Sequence, residues 1–310
     1  MPKGLNFQRK SDIVKRLGIE PKVLEEILYD KEKLFYVEEE IIKGKTRDFH
    51  KCRGSLYGFL PQLNKAIMSL DALPPELCGG VRGKSIFKSA SQHQKKKFVL
   101  KLDLKDFFHS VKPYQVQAVF ERLGCTPSMS KLLTYTCTAN NHLPQGFSTS
   151  PILAAHVLAP FVEDMRALLR PHHLSFTIWV DDITISGYTN PVRLLPTIRS
   201  ICKKHKVHLN EKKRKLLRAG KQTQEVTGVR ISYDKLSTGA TFFRDTERMV
   251  YVLKKFGWHE VKKKFAFNVT DKRKVIQKIK GRINHIRQAN AHQAGKLDTA
   301  LRDTLEVQAH

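Results

Sequence analysis

Two neighbouring carboxylates, Asp181 and Asp182, stand between Ser175-Phe176-Thr177-Ile178-Trp179-Val180 and Ile183-Thr184-Ile185-Ser186. The flanks are crowded with β-branched and aromatic residues and keep no helical spacing, which predicts two strands and a tight hairpin turn that holds both acids. Like charges at a buried turn repel, and a divalent cation between them is the usual remedy in an all-oxygen site. Upstream, Phe98-Val99-Leu100-Lys101-Leu102-Asp103 reads as a second strand whose apolar run ends in an acid. A sheet that sets this strand beside the hairpin brings Asp103 next to Asp181, within reach of shared metal ions. Asp106, three residues farther along the strand, is expected to face away from Asp103 and to play a secondary part.

An Asp-Asp pair also occurs on solvated loops, so its surroundings decide the reading. Between the acidic strands lies Leu143-Pro144-Gln145-Gly146-Phe147-Ser148-Thr149-Ser150-Pro151, followed by the helix-like run Ile152 to Leu158. Glycine at the mouth of a helix lets backbone approach a ligand closely, and the Ser/Thr cluster can cap the helix start.

The order of these motifs resembles the reverse transcriptases, and more narrowly the bacterial retron type. Asp103 matches the first metal-binding aspartate of that family, Pro144-Gln145-Gly146 with Ser150-Pro151 its substrate-cradling motif, and Val180-Asp181-Asp182 its paired-aspartate motif. Leu209-Asn210-Glu211-Lys212-Lys213 is similar to the motif carrying the family's lysine, with Lys213 the better match by its spacing from Asn210. Val226-Thr227-Gly228 stands where retron enzymes carry a marker triplet, and Ala90 and His93 match their Asn-Ala-x-x-His element, with Ser89 in place of the asparagine. Trp179 replaces the usual tyrosine two residues before the aspartate pair, keeping a ring and losing a hydroxyl.

The resemblance, which covers roughly residues 40 to 290, implies an α+β fold of right-hand polymerase architecture. Residues 1–97 are expected to form N-terminal helices and fingers, 98–235 a palm with a finger segment near 114–145, and 236–310 a basic helical thumb. It implies an RNA-directed DNA polymerase that uses two Mg²⁺ ions and dNTPs, with Asp103, Asp181 and Asp182 as catalytic metal ligands. Lys45, Arg47, Phe108, Gln145, Gly146 and Lys213 would meet the nucleotide, Phe108 as an aromatic gate against a 2′-hydroxyl. It further implies a structured non-coding RNA partner, an RNA-linked single-stranded DNA product, and antiphage defence with an associated effector protein. The alternatives are another bacterial reverse transcriptase class, or a non-catalytic RNA-binding protein on the same fold.

Charge points the same way without choosing a partner. The 310 residues carry 56 Lys and Arg against 29 Asp and Glu, a formal net charge of +27, which calls for a polyanion. The basic residues are spread through apolar-patterned segments rather than gathered in a tail, which favours a folded groove. From Leu236 onward there are 16 Lys and Arg against 7 Asp and Glu, with Lys262, Lys263, Lys264, Lys278, Lys280 and Arg282 as candidates to hold an RNA/DNA hybrid by its phosphates. No run of about 18 apolar residues exists to span a bilayer, and the opening residues lack a signal-peptide core. Five cysteines, odd in number and never closely paired, indicate neither a disulfide framework nor a zinc knuckle, so a reducing cytoplasm is the expected setting.

Apolar spacing predicts two short helices between Ser11 and Tyr29, strands over Leu34–Ile42 and Thr46–His50, and helices over Leu60–Leu70, Tyr114–Leu123 and Ile152–Leu169.

Overall fold

The computed structural model describes residues 4–42, 44–70, 73–233, 235–269 and 271–307. Helix α1 (Lys10–Leu17) is closed at its start by Asp12, whose carboxylate accepts from the Gln8 and Arg9 amides at 2.8 and 2.9 Å, and is stopped by left-handed Gly18. With α2 (Pro21–Asp30) it buries Ile13, Leu17, Leu24 and Ile27. Strands β1 (Phe35–Ile42) and β2 (Lys45–Cys52) form an antiparallel hairpin in which Val37 pairs with His50 and Glu40 with Arg47. Helix α3 (Gly54–Met68) begins six residues before the expected Leu60, because its buried stripe already starts at Leu56 and runs through Phe59, Leu60, Leu63 and Ile67.

Beyond α4 (Ile86–Ser91) come β3 (Phe98–Asp103), the single turn α5 (Phe107–Ser110), α6 (Pro113–Arg122), α7 (Pro127–Cys137) and the apolar α8 (Ser150–Leu169). The hairpin β4 (Ser175–Trp179) and β5 (Asp182–Gly187) follows, then α9 (Leu195–Lys204) and β6 (Lys215–Arg218). These strands make a sheet in the order β4-β5-β3-β6, so β3 lies beside the hairpin as its acids require. Strands β7 (Gln224–Val226), β8 (Val229–Ile231) and β9 (Leu236–Ser237) form a separate three-stranded antiparallel sheet. Three helices complete the chain: α10 (Ala240–Lys264), kinked at Gly257 where φ is 81°, α11 (Lys272–Ala289) and α12 (Ala291–Val307).

The chain divides into two compact units, Met1–Ser85 with Leu100–Leu216, and Ile86–Val99 with Leu217–His310. In the first, Leu102, Leu104, Ile178, Ile183 and Ile185 from the sheet share a core with Leu153, Phe161 and Met165 from α8. A buried lysine, Lys31, donates to the carbonyls of Tyr135 and Thr138 at 2.8 Å, filling acceptors that the end of α7 leaves open. In the second unit, Leu253, Val275, Ile279, Ile283, Leu297 and Leu301 form the core of the three helices. Among the described residues, no helix is long and apolar enough to cross a membrane.

Candidate active site

The turn that carries the acids lies one residue earlier than the sequence suggests. Trp179 pairs with Asp182, so Val180 and Asp181 are the two turn residues and Asp182 opens β5. Val180 adopts φ +60°, a left-handed conformation that is costly for a β-branched side chain. The surrounding structure holds it there. A loop from Glu76 to Gly79 lies along β4, with the Cys78 amide donating to Ile178 O and the Ile178 amide to Glu76 O, both at 2.8 Å. Gly79 presses against the turn so closely that a Cβ there would lie 2.3 Å from Val180 N. Arg166 on α8 grips Glu76 through two parallel bonds of 2.9 and 2.7 Å, which fixes the loop. In the sequence alone Glu76, Gly79 and Arg166 carry no signal of this role beyond the Gly79-Gly80 pair.

Asp103 ends β3 with 6% of its surface exposed, and the next amide, Leu104 N, donates to Asp181 O at 2.8 Å. That bond ties the acidic strand end to the acidic turn. The segment after α9 runs back along the same strand end, with the Lys105 amide donating to His208 O at 2.8 Å and the Asn210 amide to Asp103 O at 2.7 Å. It thereby delivers Lys213, whose ammonium pairs with the Asp103 carboxylate. Burial, then the charge of Asp182, with a smaller push from Asp103, raises the Asp181 carboxyl above the ordinary range. Asp182 is also raised, by burial above all, while the Lys101 ammonium pulls it down.

A cavity of about 510 Å³ is lined by Asp103, Asp181, Trp179, Val180, Asn210 and Lys213, and by Thr46, Arg47, Asp48, Phe108, His109 and Gln145, while Asp182 is not among its lining residues. Phe107 is buried and Phe108 half-buried, and both line the cavity, so Phe108, the more exposed of the two, is the candidate gate. Asp106 also lines the cavity, which corrects the expectation that it faces away. Strand β3 stops at Asp103, and Asp106 sits at φ +45° at the head of α5, outside any strand alternation. The backbone of Lys45 opens β2, but its side chain lies outside the described residues.

Gly146 does not line the cavity. It has φ +113°, and a Cβ would stand 2.4 Å from His50 O, so the close approach it permits is that of β2. Thr149 provides no side-chain cap for α8, and Ser150 instead ties the loop back to Pro144 O at 2.7 Å. Behind Gln145, whose carbonyl accepts from the His50 amide at 2.7 Å, the ring of His50 is buried between Phe35, Phe147 and His142.

Burial pushes His50 and His142 down, and brings His156 and His93 to about 4. As pH falls below about 6.5, the unfolded chain takes up protons that the native chain refuses. The stability these neutral rings support is therefore complete above that pH and is lost toward pH 4. For His156 and His93 the loss approaches roughly 3 kcal/mol each at the acid end. Urea midpoints taken at pH 7.5 and 5 are expected to fall on the acid side; equal midpoints would contradict the burial of these rings as neutral bases.

In the second unit, Ala90 on α4 and Val226 on β7 lie in one buried cluster with Phe87 and Val229, so the two marker elements, more than a hundred residues apart in sequence, meet. His93 is fully buried nearby in sequence, and Thr227 and Gly228, with φ 48° and 82°, make the two-residue turn between β7 and β8. Lys262, Lys263, Lys264 and Lys280 are exposed, and Lys278 stands over the Phe267 ring at 4.7 Å. Arg282 departs from the expectation of a free phosphate ligand. Its guanidinium lies 3.9 Å over Phe242 and donates to Thr246 Oγ1 and Phe242 O at 3.0 and 3.2 Å, fastening α11 to α10.

Among the described residues, no three His, Cys, Asp or Glu side chains stand close enough to hold a metal ion together as they are placed. The donor chemistry nonetheless fits a hard cation. Two half-buried carboxyls are raised by burial with a neighbouring acid adding to it, and the third carboxylate is already paired with a cation, so positive charge is what the site lacks.

Residues 53–233 match the family model "Reverse transcriptase (RNA-dependent DNA polymerase)". The chain is 25% identical over 245 residues to the retron Ec86 reverse transcriptase of Escherichia coli, covering 77% of this chain and 76% of that protein. It is 26% identical over 255 residues to the retron Se72 reverse transcriptase of Salmonella heidelberg (strain 579083-10), covering 79% and 67%. In fold it is similar to telomerase from Candida albicans in complex with a TWJ fragment of telomeric RNA, at TM-score 0.51 and 11% identity over 87% of this chain. Apo telomerase from Candida tropicalis gives TM-score 0.51 and 10% identity over 88%. The chain spans 63% and 65% of those two telomerase chains.

Proposed function

The chain belongs to the reverse transcriptase family, as an RNA-directed DNA polymerase of retron type, and from that premise we propose a two-metal nucleotidyl transferase that copies a structured partner RNA into RNA-linked single-stranded DNA. The observation that carries the reading is the joining of Asp103 and Asp181 at one cavity through the Leu104 amide, with like charge among the acids to be neutralised. In this reading residues 1–97 are fingers, 98–235 palm and 236–310 thumb.

Asp103, Asp181 and Asp182 would hold two Mg²⁺ ions, which supply a lowered pKa for the attacking primer hydroxyl and neutralisation of the leaving pyrophosphate. The remaining work falls to the chain itself. Arg47 and Lys45 would meet the triphosphate, and Gln145 would form part of the floor beneath the nucleotide. In this reading the Phe108 ring would clash with a sugar 2′-hydroxyl, and Lys213 would give a proton to the pyrophosphate. Exposed Lys262, Lys263, Lys264 and Lys280 contact hybrid backbone without reading bases. A role in antiphage defence with an associated effector, in a cytoplasmic setting, completes the proposal.

The test is primer extension by the purified chain with Mg²⁺, dNTPs and a primed RNA template. Incorporation is expected, and Phe108→Ala is expected to raise incorporation of ribonucleotides relative to dNTPs by roughly tenfold or more, because removing the ring removes the clash. Tight, salt-sensitive RNA binding with no incorporation on any primed template would establish the non-catalytic alternative instead.

A further inference from the structure

The acidic site already contains a cation of its own. Asp103 has only 9% of its side chain exposed, yet no metal-ready group of acids gathers around it among the described residues; its partner is the Lys213 ammonium. That placement is built rather than incidental. The Asn210 amide is anchored on Asp103 O, the Lys213 amide donates to Asn210 O at 3.1 Å, and the intervening Glu211 is held outward by Arg199 at 2.7 Å and Arg214 at 3.1 Å. The Lys213 side chain is 47% exposed, so it has solvent to move into.

We propose that Lys213 is the resident counter-cation of the metal-free site, bound to Asp103 until a divalent ion displaces it; this rests on the two-metal reading. Two divalent ions beside three carboxylates leave no negative charge to hold an ammonium, and at contact distance the like charges repel. A lysine, a compact charge on a flexible four-carbon stem, leaves more readily than an arginine would. Displacement has a mechanistic consequence. The ammonium is released toward the cavity only when ions are bound, so the proton donor and the metals arrive together.

The test uses the full chain without nucleotide. Mn²⁺ uptake, followed by the electron paramagnetic resonance of the free ion, is expected to be about tenfold tighter or more in Lys213→Met, where nothing competes for Asp103, and weaker than in the parent in Lys213→Arg, whose guanidinium leaves Asp103 less readily. In protein carrying ¹⁵N-lysine, the Lys213 ammonium signal, assigned by its absence from Lys213→Met, is expected without metal and lost as Mg²⁺ is added. Equal Mn²⁺ affinity in the parent and Lys213→Met, or an ammonium signal that persists at saturating Mg²⁺, overturns the inference alone. No Mn²⁺ uptake by either protein overturns the two-metal reading, and the inference with it.

Discussion

Asp181→Asn is expected to abolish RNA-templated DNA synthesis, by on the order of 10³-fold or more, while raising the thermal midpoint of the metal-free protein. The first effect follows from losing one anionic ligand where charge must be held between two ions, with the shape of the side chain kept. The second follows from the sign of the pKa shift. A carboxyl whose native pKa is raised costs the folded state stability once it is ionised; that cost is absent at low pH, where it is protonated in both states, and grows as pH rises above the ordinary carboxylate value. Asparagine removes it, so the variant's advantage should be present at pH 7.5 and vanish near pH 3. Added Mg²⁺ should stabilise the parent more than the variant, narrowing the gap from the other side. Differential scanning calorimetry at the two pH values, with and without Mg²⁺, reads all of this. A variant that is destabilised at pH 7.5 without metal would mean that Asp181 is satisfied by the protein itself. Asp103→Asn should lose activity as severely without the gain in midpoint, because it also breaks the pair with Lys213.

What could be read in the chain, and what could not, divides along the range of the interaction. That Asp103 closes a strand and Asp181 lies in a hairpin turn was legible because each strand announces itself over five or six residues, although the turn itself lies one residue earlier than those residues suggest. Asp106 was misread by extending the strand signal. Alternation was carried past the end of β3, where Leu104 bridges to Leu209 and the chain turns through a left-handed residue. At Gly146 the principle was right and the partner wrong: the close approach is to His50 in β2, a contact made across almost a hundred residues of sequence. Arg282 could not be told from its basic neighbours, since only packing selects which cation stacks on Phe242. The meeting of Ala90 with Val226 was likewise invisible, although each element was recognised singly.

Gly79→Ala tests a further long-range dependence, that of the aspartate turn on the Glu76–Gly79 loop, and its effect on catalysis is expected to approach that of losing an acid. The added methyl would fall 2.3 Å from Val180 N and 2.9 Å from Trp179 C, both backbone atoms, so no side-chain rotation relieves it. Retreat of the loop is opposed by the amide bonds at Cys78 and Ile178 and by the Glu76–Arg166 fork. The turn must yield, and it already carries the left-handed Val180. A displacement of Asp181 by an ångström or less is enough to cost about 10²-fold in kcat, since in-line attack tolerates little misalignment. The dNTP KM should change much less, because Arg47 and Gln145 belong to other elements. Gly83→Ala is the matched control: its φ of +73° strains an alanine by about 1–2 kcal/mol, but nothing lies within 4 Å of the new methyl. It should lose some stability and keep its rate. If Gly79→Ala polymerises at the rate of Gly83→Ala, the aspartate turn is not positioned by this loop, and the strain at Val180 is borne by β4 and β5 alone.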